Sequence, residues 1–403
     1  MIKTYIERKI YTEKVRPFMN KDIIKVFVGQ RRVGKSYLLF QIMDLIKNDF
    51  GRDSNIIYIN KEANEFENVK NHTDLLDFVK ANTKKGKKNA LFIDEIQDIK
   101  EFEKALRSLQ SSGNYDIYCT GSNANLLSGE LATYLSGRHI EIEVFGLSYN
   151  EFLLFHKLQK NKESLLKYIK YGGLPYLIHL SLEDDTVYEY LKNIYNTILL
   201  KDVVSRYKIR NVYFLDKLVR YLADNVGSLV SAKKISDFLK SQKSPISPSV
   251  VLDYLSFLVS TFLFFKVSRF EINGKKIFEV NEKYYFEDLG VRHSLIGYRQ
   301  IDINKILENL VFLHLKRLGY NVSVGRLGVK EVDFVGEKNG VRLYIQVAYL
   351  LNSNAVSKRE FGNLLDIPDN YRKIVVSMDE MAEGQYKGVE HINIIDFLCI
   401  NSF

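Results

Sequence analysis

Short apolar runs alternate with longer amphipathic stretches along the first 150 residues of the chain. The apolar runs lie at residues 23–28, 56–59, 90–93, 117–119 and 140–144, and runs of this length predict buried strands. Helical patterns such as SYLLFQIMDLIKN and EFEKALRSLQSS lie between them. Strands that alternate with helices in this way predict an α/β fold, in which a parallel sheet is covered on both faces.

The pattern changes twice after residue 150. Residues 151–210 are predicted to be helical, with breaks at Gly172-Gly173 and Pro175. Residues 211–300 contain three helical patterns followed by two strands, which the pair Asn273-Gly274 joins. An Asn-Gly pair between two strands predicts a hairpin. Three helices followed by a hairpin predict a winged helix.

One turn between a predicted strand and a predicted helix carries a complete phosphate-binding motif, GxxxxGK[ST]. Its residues are Gly29, Gln30, Arg31, Arg32, Val33, Gly34, Lys35 and Ser36. The glycines let backbone N–H groups curl around a polyphosphate at the N-terminus of a helix, where the helix dipole favours anions. We expect Lys35 to reach the β- and γ-phosphates and Ser36 to ligate Mg²⁺.

The predicted strand at residues 90–93 ends in an unusual pair of charges. The segment LFIDEI, residues 91–96, is mostly apolar, yet it carries the adjacent carboxylates Asp94 and Glu95. Charges at the end of a buried strand are costly unless they are compensated, which indicates a functional role. We expect Asp94 to hold Mg²⁺ through water and Glu95 to orient and polarise the attacking water. A strand end that simply leaves for solvent is the structural alternative.

The next predicted strand ends in the polar side chains of Thr120, Ser122 and Asn123. A polar group at this point could sense the γ-phosphate and position water, and Ser122 and Asn123 are both candidates. The same residues also suit caps of the following helix, so the sequence leaves both interpretations open. Arg138, in YLSGRHI, is a candidate arginine finger, with a structural ion pair as the alternative. The predicted catalytic set is Glu95, Asn123 and Arg138.

Composition narrows the class of protein. The chain has 403 residues, of which 46% are hydrophobic and 27% charged, as in a globular rather than a disordered protein. Two cysteines, Cys119 and Cys399, are too few for a disulfide framework. The sequence has no apolar stretch of the ~20 residues that a spanning helix needs, so we expect a cytoplasmic protein without a membrane partner. The net charge of +9 allows an anionic partner without identifying one.

Several segments resemble the ATPase domain of the AAA-type P-loop proteins that are widespread in bacteria and archaea. They are VFVGQRRVGKS, LFIDEIQ, TGSNANLLS and LSGR, and the later segments GLSYNEFL, YGGLP, KDVVSRYKIRN and KYYFEDLGVRHSLIG match the same group. The resemblance implies an AAA-like parallel sheet with the strand order 5-1-4-3-2, and ATP and Mg²⁺ as cofactors. The resemblance also implies roles in nucleotide binding or hydrolysis for Gly29, Gly34, Lys35, Ser36, Asp94 and Glu95.

The tail from residue 301 onward resembles a PD-(D/E)XK nuclease fold. That chemistry needs a helix glutamate, an aspartate, a second carboxylate and a lysine two residues later, to hold divalent metal and stabilise a phosphate transition state. Glu308 and Asp333 match, but the second carboxylate position is Gln346 and the lysine position is Ala348. Glu331 offers a substitute ligand, whereas nothing obvious in the sequence replaces the lysine. The pattern favours a degenerate binding or packing domain over an active nuclease.

The sequence thus predicts a P-loop ATPase core over residues 1–150 and a helical extension over 151–210. A winged-helix domain over 211–300 and a small α/β nuclease-like domain over 301–403 follow. We expect ATP hydrolysis with Mg²⁺ to drive a conformational switch of these last two domains. Two other functions stay open: a slow ATP-dependent switch for protein assembly, and an ATP-gated enzyme that binds nucleic acid. A DNA partner, a protein partner and an oligomer are all compatible with the sequence.

Overall fold

The computed structural model describes residues 5–127, 137–241, 246–274, 276–351, 354–380 and 383–403. The chain divides into two compact units, Met1–Phe145 with Ser260–Phe262 and Gly146–Val259 with Leu263–Phe403. No helix among the described residues is long and apolar enough to cross a membrane. The two units are described separately below.

The first unit is built on a parallel sheet. Its strands are β1 (Ile24–Val28), β2 (Ser54–Asn60), β3 (Lys88–Asp94), β4 (Tyr115–Gly121) and β5 (His139–Glu143). Its α-helices are α1 (Lys9–Val15), α2 (Lys35–Phe50), α3 (His72–Asn82) and α4 (Phe102–Ser111). Short 3₁₀-helices lie at Arg16–Phe18, Gly51–Asp53, Asn64–Phe66, Ile96–Asp98 and Ala124–Leu127.

The strand order of this sheet is β2-β3-β4-β1-β5, and every neighbouring pair is parallel. Counted from the other edge, this is the predicted order 5-1-4-3-2, which the structure therefore confirms. All five residues of β1 are buried, as expected for the inner strand of a sheet covered on both faces. Because parallel strands end at the same edge of a sheet, the chain segments that follow β1, β3 and β4 meet there.

Ten α-helices lie in the described part of the chain after residue 146. They are α5 (Tyr149–His156), α6 (Lys162–Tyr171), α7 (Asp184–Thr197), α8 (Val212–Asp224), α9 (Ala232–Ser241), α10 (Pro248–Ser260), α11 (Leu289–Ile296), α12 (Ile303–Arg317), α13 (Asn354–Leu365) and α14 (Ile394–Phe397). A π-helix, Ile198–Ser205, follows α7, and 3₁₀-helices lie at Pro175–His179 and Gln300–Asp302. Helix α6 ends at Tyr171, directly before Gly172-Gly173, which confirms the helix break predicted there.

The second unit contains a mixed nine-stranded sheet. Its strands are β6 (Leu229–Val230), β7 (Phe264–Glu271), β8 (Lys276–Phe286), β9 (Asn321–Leu327), β10 (Lys330–Lys338), β11 (Val341–Val347), β12 (Arg372–Ser377), β13 (Glu383–Tyr386) and β14 (Val389–Asn393). Their order is β13-β14-β12-β11-β10-β9-β7-β8-β6. The antiparallel pairing of β7 with β8 confirms the hairpin predicted at Asn273-Gly274.

The hairpin and the tail belong to one sheet, because β7 also pairs with β9. This pairing is parallel, and Arg269, Phe270 and Glu271 lie opposite Val324, Gly325 and Arg326. The predicted winged-helix region (211–300) and the predicted nuclease-like region (301–403) thus share a continuous ladder of strands. One side chain of β8, that of Lys283, contacts Glu308 and Glu331 of the tail.

A buried ion pair lies between two strands of the first unit. Lys25 of β1 is fully buried and donates to Asp116 of β4, which also accepts a hydrogen bond from the hydroxyl of Tyr118 at 2.7 Å. Burial lowers the pKa of Lys25, and the charge of Asp116 opposes that shift. The ammonium therefore depends on its partner to remain charged inside the sheet.

Replacing Asp116 by Asn should lower the free energy of unfolding by about 3 to 5 kcal/mol, because it leaves the buried ammonium of Lys25 without its counter-ion. The double variant Lys25→Met/Asp116→Asn removes both charges and should recover most of this loss. Urea unfolding followed by tyrosine fluorescence measures the difference. A single variant as stable as the wild type would show that Lys25 does not rely on Asp116.

Candidate functional site

The turn from β1 into α2 approaches neighbouring backbone so closely that it requires glycine. A Cβ atom at Gly29 would lie 2.1 Å from the carbonyl oxygen of Val144. Gly34 caps α2 with φ +99°, a left-handed conformation that glycine adopts without strain. Beyond the turn, α2 buries Leu38 and Ile42 one turn apart, which fixes the helix against the sheet. The N-terminus of α2 thus faces the edge where β1, β3 and β4 end.

Lys35, the first residue of α2, is buried inside this turn. Its ammonium donates to the carbonyl oxygens of Gly29 and Gln30, both at 2.9 Å. It also lies 3.8 Å from Oε1 of Glu95. The turn therefore holds the ammonium of Lys35 beside the carboxylate of Glu95, away from solvent.

Asp94 ends β3 and is only 2% exposed. Ser36 and Thr120 both donate side-chain hydrogen bonds to it, and the hydroxyl of Tyr58 lies 3.4 Å from its Oδ2. Burial raises the pKa of Asp94 above its ordinary value, although the hydrogen bonds from Ser36 and Thr120 oppose that shift. The predicted metal ligands Ser36 and Asp94 are thus in direct contact, and both offer oxygen atoms, which Mg²⁺ prefers.

Glu95 is held in a left-handed conformation, φ +56°, directly after the strand. Its N–H donates to the hydroxyl of Thr120 at 2.9 Å, and its Oε2 accepts from Ser122 at 2.8 Å and from Gln97. Burial alone would raise the pKa of Glu95, but the charges of Lys35 and Arg31 and the two side-chain hydrogen bonds lower it below its ordinary value. Glu95 is therefore a buried, ionised carboxylate with a fixed orientation.

The remaining predicted site residues lie at different distances from this centre. Ser122 is buried and contacts Glu95, whereas Asn123 is half-buried and its carbonyl accepts a hydrogen bond from the N–H of Leu126. Arg31 pairs with Glu62 at 2.7 Å, and Arg32 is exposed with φ +72°.

Arg138 is exposed immediately before β5, and its carbonyl accepts from the N–H of Ile24. The structure therefore brings Lys35, Ser36, Asp94, Glu95 and Ser122 together, while Arg138 lies on the surface of the unit.

Gln30 adds a polar group whose hydrogen-bonding capacity is not used within the described residues. Its side chain is fully buried, and neither its amide nitrogen nor its amide oxygen has a hydrogen-bond partner there. Buried amides of proteins are nearly always satisfied. A buried amide without a partner among the described residues, in a glycine-containing turn before a helix N-terminus, is consistent with a site that binds a polar ligand.

Two residues that sequence reasoning missed organise this centre. Thr120 contacts both Asp94 and Glu95, although its position near a strand end predicts no specific role. Arg8, the N-cap residue of α1, is 4% exposed and donates from NH1 to the carbonyl oxygens of Val33 and Phe145, both at 2.9 Å. No local signal marks Arg8, because its partners lie far along the chain.

The tail residues singled out for nuclease-like chemistry also lie together. Glu308, Asp333, Gln346 and Ala348 line one cavity of the second unit. Lys283 of β8, which no motif in the sequence marks, lies 2.9 Å from Oε1 of Glu308. No cluster of three or more His, Cys, Asp or Glu side chains within the described residues is arranged to hold a metal ion.

Comparison with known proteins gives matches to both halves of the chain. Residues 21–153 match the AAA domain, and residues 162–302 match a domain of unknown function, DUF8612. An uncharacterized protein of Haemophilus influenzae is 38% identical over 99% of this chain and 100% of its own length. An uncharacterized protein of Methanocaldococcus jannaschii is 34% identical over 87% of this chain and 84% of its own length.

Solved structures give weaker likenesses. The Aeropyrum pernix ORC1 protein in complex with DNA has a TM-score of 0.32 and 10% identity, with 72% of this chain and 92% of that chain covered. The AMPPCP-bound DnaA of Aquifex aeolicus has a TM-score of 0.27 and 16% identity, with 53% of this chain and 67% of that chain covered. At such scores these likenesses say nothing about what the present chain binds.

Substituting alanine for Gly29 should abolish the binding of a fluorescent ATP analogue, because its Cβ atom would meet the carbonyl of Val144 at 2.1 Å and deform the turn. Gly86→Ala is the matched control: Gly86 also has a positive φ, +76°, but no atom lies within 4 Å of its added Cβ. Fluorescence anisotropy measures both affinities. Equal affinities would show that the turn at Gly29 does not form the nucleotide site.

Proposed function

Because this chain belongs to the same protein family as its Haemophilus influenzae and Methanocaldococcus jannaschii relatives, and its residues 21–153 match the AAA domain, we propose that it binds ATP with Mg²⁺ and hydrolyses it. The observation that carries this proposal is the state of Glu95. It is a buried carboxylate with a lowered pKa, and two side chains fix its orientation beside the ammonium of Lys35. An ionised, oriented carboxylate next to a phosphate-binding loop is what water activation requires.

The residues of the turn divide the remaining roles. The backbone N–H groups of residues 29–36 and the N-terminus of α2 bind the phosphates, and Lys35 exchanges its carbonyl partners for phosphate oxygens. Gln30 offers its unsatisfied amide to the same ligand. Ser122 keeps Glu95 in position, and Asn123, at the end of the same strand, is proposed to position the water.

Ser36 and Asp94 are the proposed ligands of the magnesium ion. Their oxygen atoms already contact each other through a hydrogen bond, and Asp94 is shielded from solvent. Two such donors fit Mg²⁺, which binds through one or two protein oxygens and completes its shell with phosphate and water. When bound, the ion neutralises charge that develops on the phosphates during transfer.

The contacts of the turn support a conformational switch. Gly29 lies against the carbonyl of Val144, and Arg8 joins the carbonyl of Val33 in the turn to the carbonyl of Phe145. Residues 144–145 are the last of the first unit before the chain continues into the second. A change in the turn on nucleotide binding therefore acts directly on this exit segment, through which we propose that hydrolysis repositions the winged-helix and nuclease-like regions.

A slow switch for protein assembly is the second candidate, and exposed apolar side chains on the helices of the proposed winged-helix region favour it. Leu252 of α10 and Phe238 of α9 are 54% and 61% exposed, and Tyr213 of α8 is 72% exposed. Side chains that read base edges are polar, whereas exposed apolar side chains suit a protein partner. DNA remains a proposed partner only through the positive net charge of the chain.

Glu95→Gln should lower ATP turnover by about 10²- to 10⁴-fold, the contribution of a general base, while ATP binding persists because Lys35 and the turn are unchanged. Lys35→Ala should lose both binding and turnover. Glu13→Gln, an exposed acid of the same unit, is the control and should match the wild type. Phosphate release and nucleotide affinity are measured side by side. Wild-type turnover by Glu95→Gln or by Lys35→Ala would refute the site.

Arg138→Ala should lower turnover by about 10³-fold or more if its guanidinium completes the site of a second copy of the chain. The position of Arg138 on the surface allows it to act on the site of another copy of the chain. Mixing the Arg138→Ala and Lys35→Ala variants should therefore restore activity. The Arg138→Ala chain supplies an intact phosphate-binding turn, and the Lys35→Ala chain supplies the arginine. Arg107→Ala, another exposed arginine of the first unit, should have no effect. Full activity of Arg138→Ala at every protein concentration would exclude it as an arginine finger.

A further inference from the structure

One segment of the first unit, residues 80–88, carries a dense group of positive charges where α3 leads into β3. Five of its nine residues are lysines, and the sequence has no acidic residue between Asp77 and Asp94. All five lysines are exposed: Lys80, Lys84, Lys85, Lys87 and Lys88. We call residues 80–88 the lysine loop.

The lysine loop and the phosphate-binding turn lie at opposite edges of the parallel sheet. Strand β3 begins at Lys88 and ends at Asp94, beside the proposed ATP site. A strand of seven residues spans about 20 Å, which is more than the length of a lysine side chain. The charge of the lysine loop is therefore not explained by the binding of ATP.

Two buried asparagines hold the backbone of the lysine loop. Asn89 is 5% exposed; it accepts from the N–H of Lys84 at 3.0 Å and donates to the carbonyl oxygens of Lys84 and Lys87 at 3.2 and 3.1 Å. Asn55 is 7% exposed and donates to Oδ1 of Asn89 at 2.8 Å and to the carbonyl oxygen of Asn82 at 3.0 Å. The loop is thus a fixed turn, and a ligand that binds it does not have to order its backbone.

The turn brings like charges close together. The N–H of Lys87 donates to the carbonyl oxygen of Lys84 at 3.4 Å, and Gly86 between them has φ +76° with no atom within 4 Å of an added Cβ. Repulsion between neighbouring ammonium groups destabilises the folded chain. A helix C-terminus favours cations, which accounts for Lys80 in the last turn of α3 but not for the lysines beyond it. An anionic partner would relieve this repulsion.

The chemistry of the lysine loop favours a phosphate backbone as that partner. Its largest exposed apolar side chain is that of Ala81, whereas the centre of a protein interface needs larger apolar anchors. Duplex DNA carries one negative charge per about 1.7 Å of its axis, so one compact turn can meet several phosphates. Contacts of lysine with phosphate fix position and carry no information about base sequence.

We propose that the lysine loop binds the phosphate backbone of duplex DNA, independently of base sequence and of ATP. Its ammonium groups replace counter-ions of neighbouring phosphates, and the release of those ions drives binding. The proposal does not rest on ATP hydrolysis, because the lysine loop and the phosphate-binding turn occupy opposite edges of the sheet. It assigns to one surface the anionic partner that the net charge of +9 allows.

Binding of two fluorescent DNA duplexes of unrelated sequence to the full chain, without nucleotide, tests the proposal. Fluorescence anisotropy measures the affinities over a series of salt concentrations. The loop variant carries Lys84→Gln, Lys85→Gln, Lys87→Gln and Lys88→Gln. We expect it to bind both duplexes roughly tenfold or more weakly than the wild type, with a log–log salt slope smaller by about 3 to 4.

The matched control removes the same charge from other exposed positions of the first unit. It carries Lys9→Gln, Lys14→Gln, Lys70→Gln and Lys100→Gln. We expect a smaller loss of affinity in this control than in the loop variant. Absence of DNA binding by the wild type would overturn the proposal, and so would equal losses in the loop variant and the control.

Two further measurements separate charge and partner from a structural effect. Arginine at the same four positions of the lysine loop keeps the charge and should keep the affinity, so a loss there would count against phosphate contacts. Vesicles of phosphatidylserine and phosphatidylcholine test a membrane surface instead. If the loop variant lost vesicle binding but not DNA binding, the proposal would be wrong.

ATP turnover and thermal unfolding check that the loop variant folds. Its turnover should match that of the wild type, because its substitutions lie away from the ATP site. Its Tm at low salt should be equal to or higher than that of the wild type, since the repulsion between the lysines is removed. A lower Tm would show that the lysines stabilise the fold, which would count against a binding surface.

Discussion

The first unit depends on one constraint, the burial of two adjacent carboxylates where β3 ends. Asp94 and Glu95 are both less than a tenth exposed, and such groups destabilise a protein unless neighbours compensate them. The hydroxyl of Thr120 does so twice, since it donates to Asp94 and accepts from the N–H of Glu95. Lys35 supplies the charge. Because Thr120 is the penultimate residue of β4 and Lys35 begins the helix after β1, this compensation joins three neighbouring strands at one edge.

Much of this unit could be predicted from sequence because its determinants are local. A phosphate-binding turn needs consecutive residues, and a buried parallel strand gives an uninterrupted apolar run. The strands and the grouping of Lys35, Ser36, Asp94 and Glu95 therefore follow from short segments, whereas the strand order is implied by the resemblance to AAA-type P-loop proteins. The bracing of the turn by Arg8 could not be predicted, because Arg8 and Phe145 are 137 residues apart. A hydroxyl such as that of Thr120 at a strand end is equally typical of ordinary packing, which hides its role.

In the second unit, contacts between separate segments limit what the sequence predicts. The hairpin and the helices could be predicted from turn residues and periodicity. The position of Lys283 beside Glu308 could not. Lys283 precedes Glu308 by only 25 residues, but it belongs to a strand whose own pattern indicates a winged helix. Its contacts with Glu308 and Glu331 join β8 to helix α12 and strand β10, which belong to the next predicted domain. A contact between separate segments leaves no pattern in either segment. The residue spacing around Gln346 therefore does not predict the position of Lys283.

The pairing of β7 with β9 makes the hairpin and the tail parts of one sheet. A chain shortened at residue 300 would lose β9, and β7 would then present an open edge of N–H and C=O groups, which favours aggregation. A tail separated from the hairpin would retain Glu308 and Glu331 without the ammonium of Lys283. A substitution that removes the charge of Lys283 should therefore be tolerated best when Glu308 or Glu331 also loses its charge.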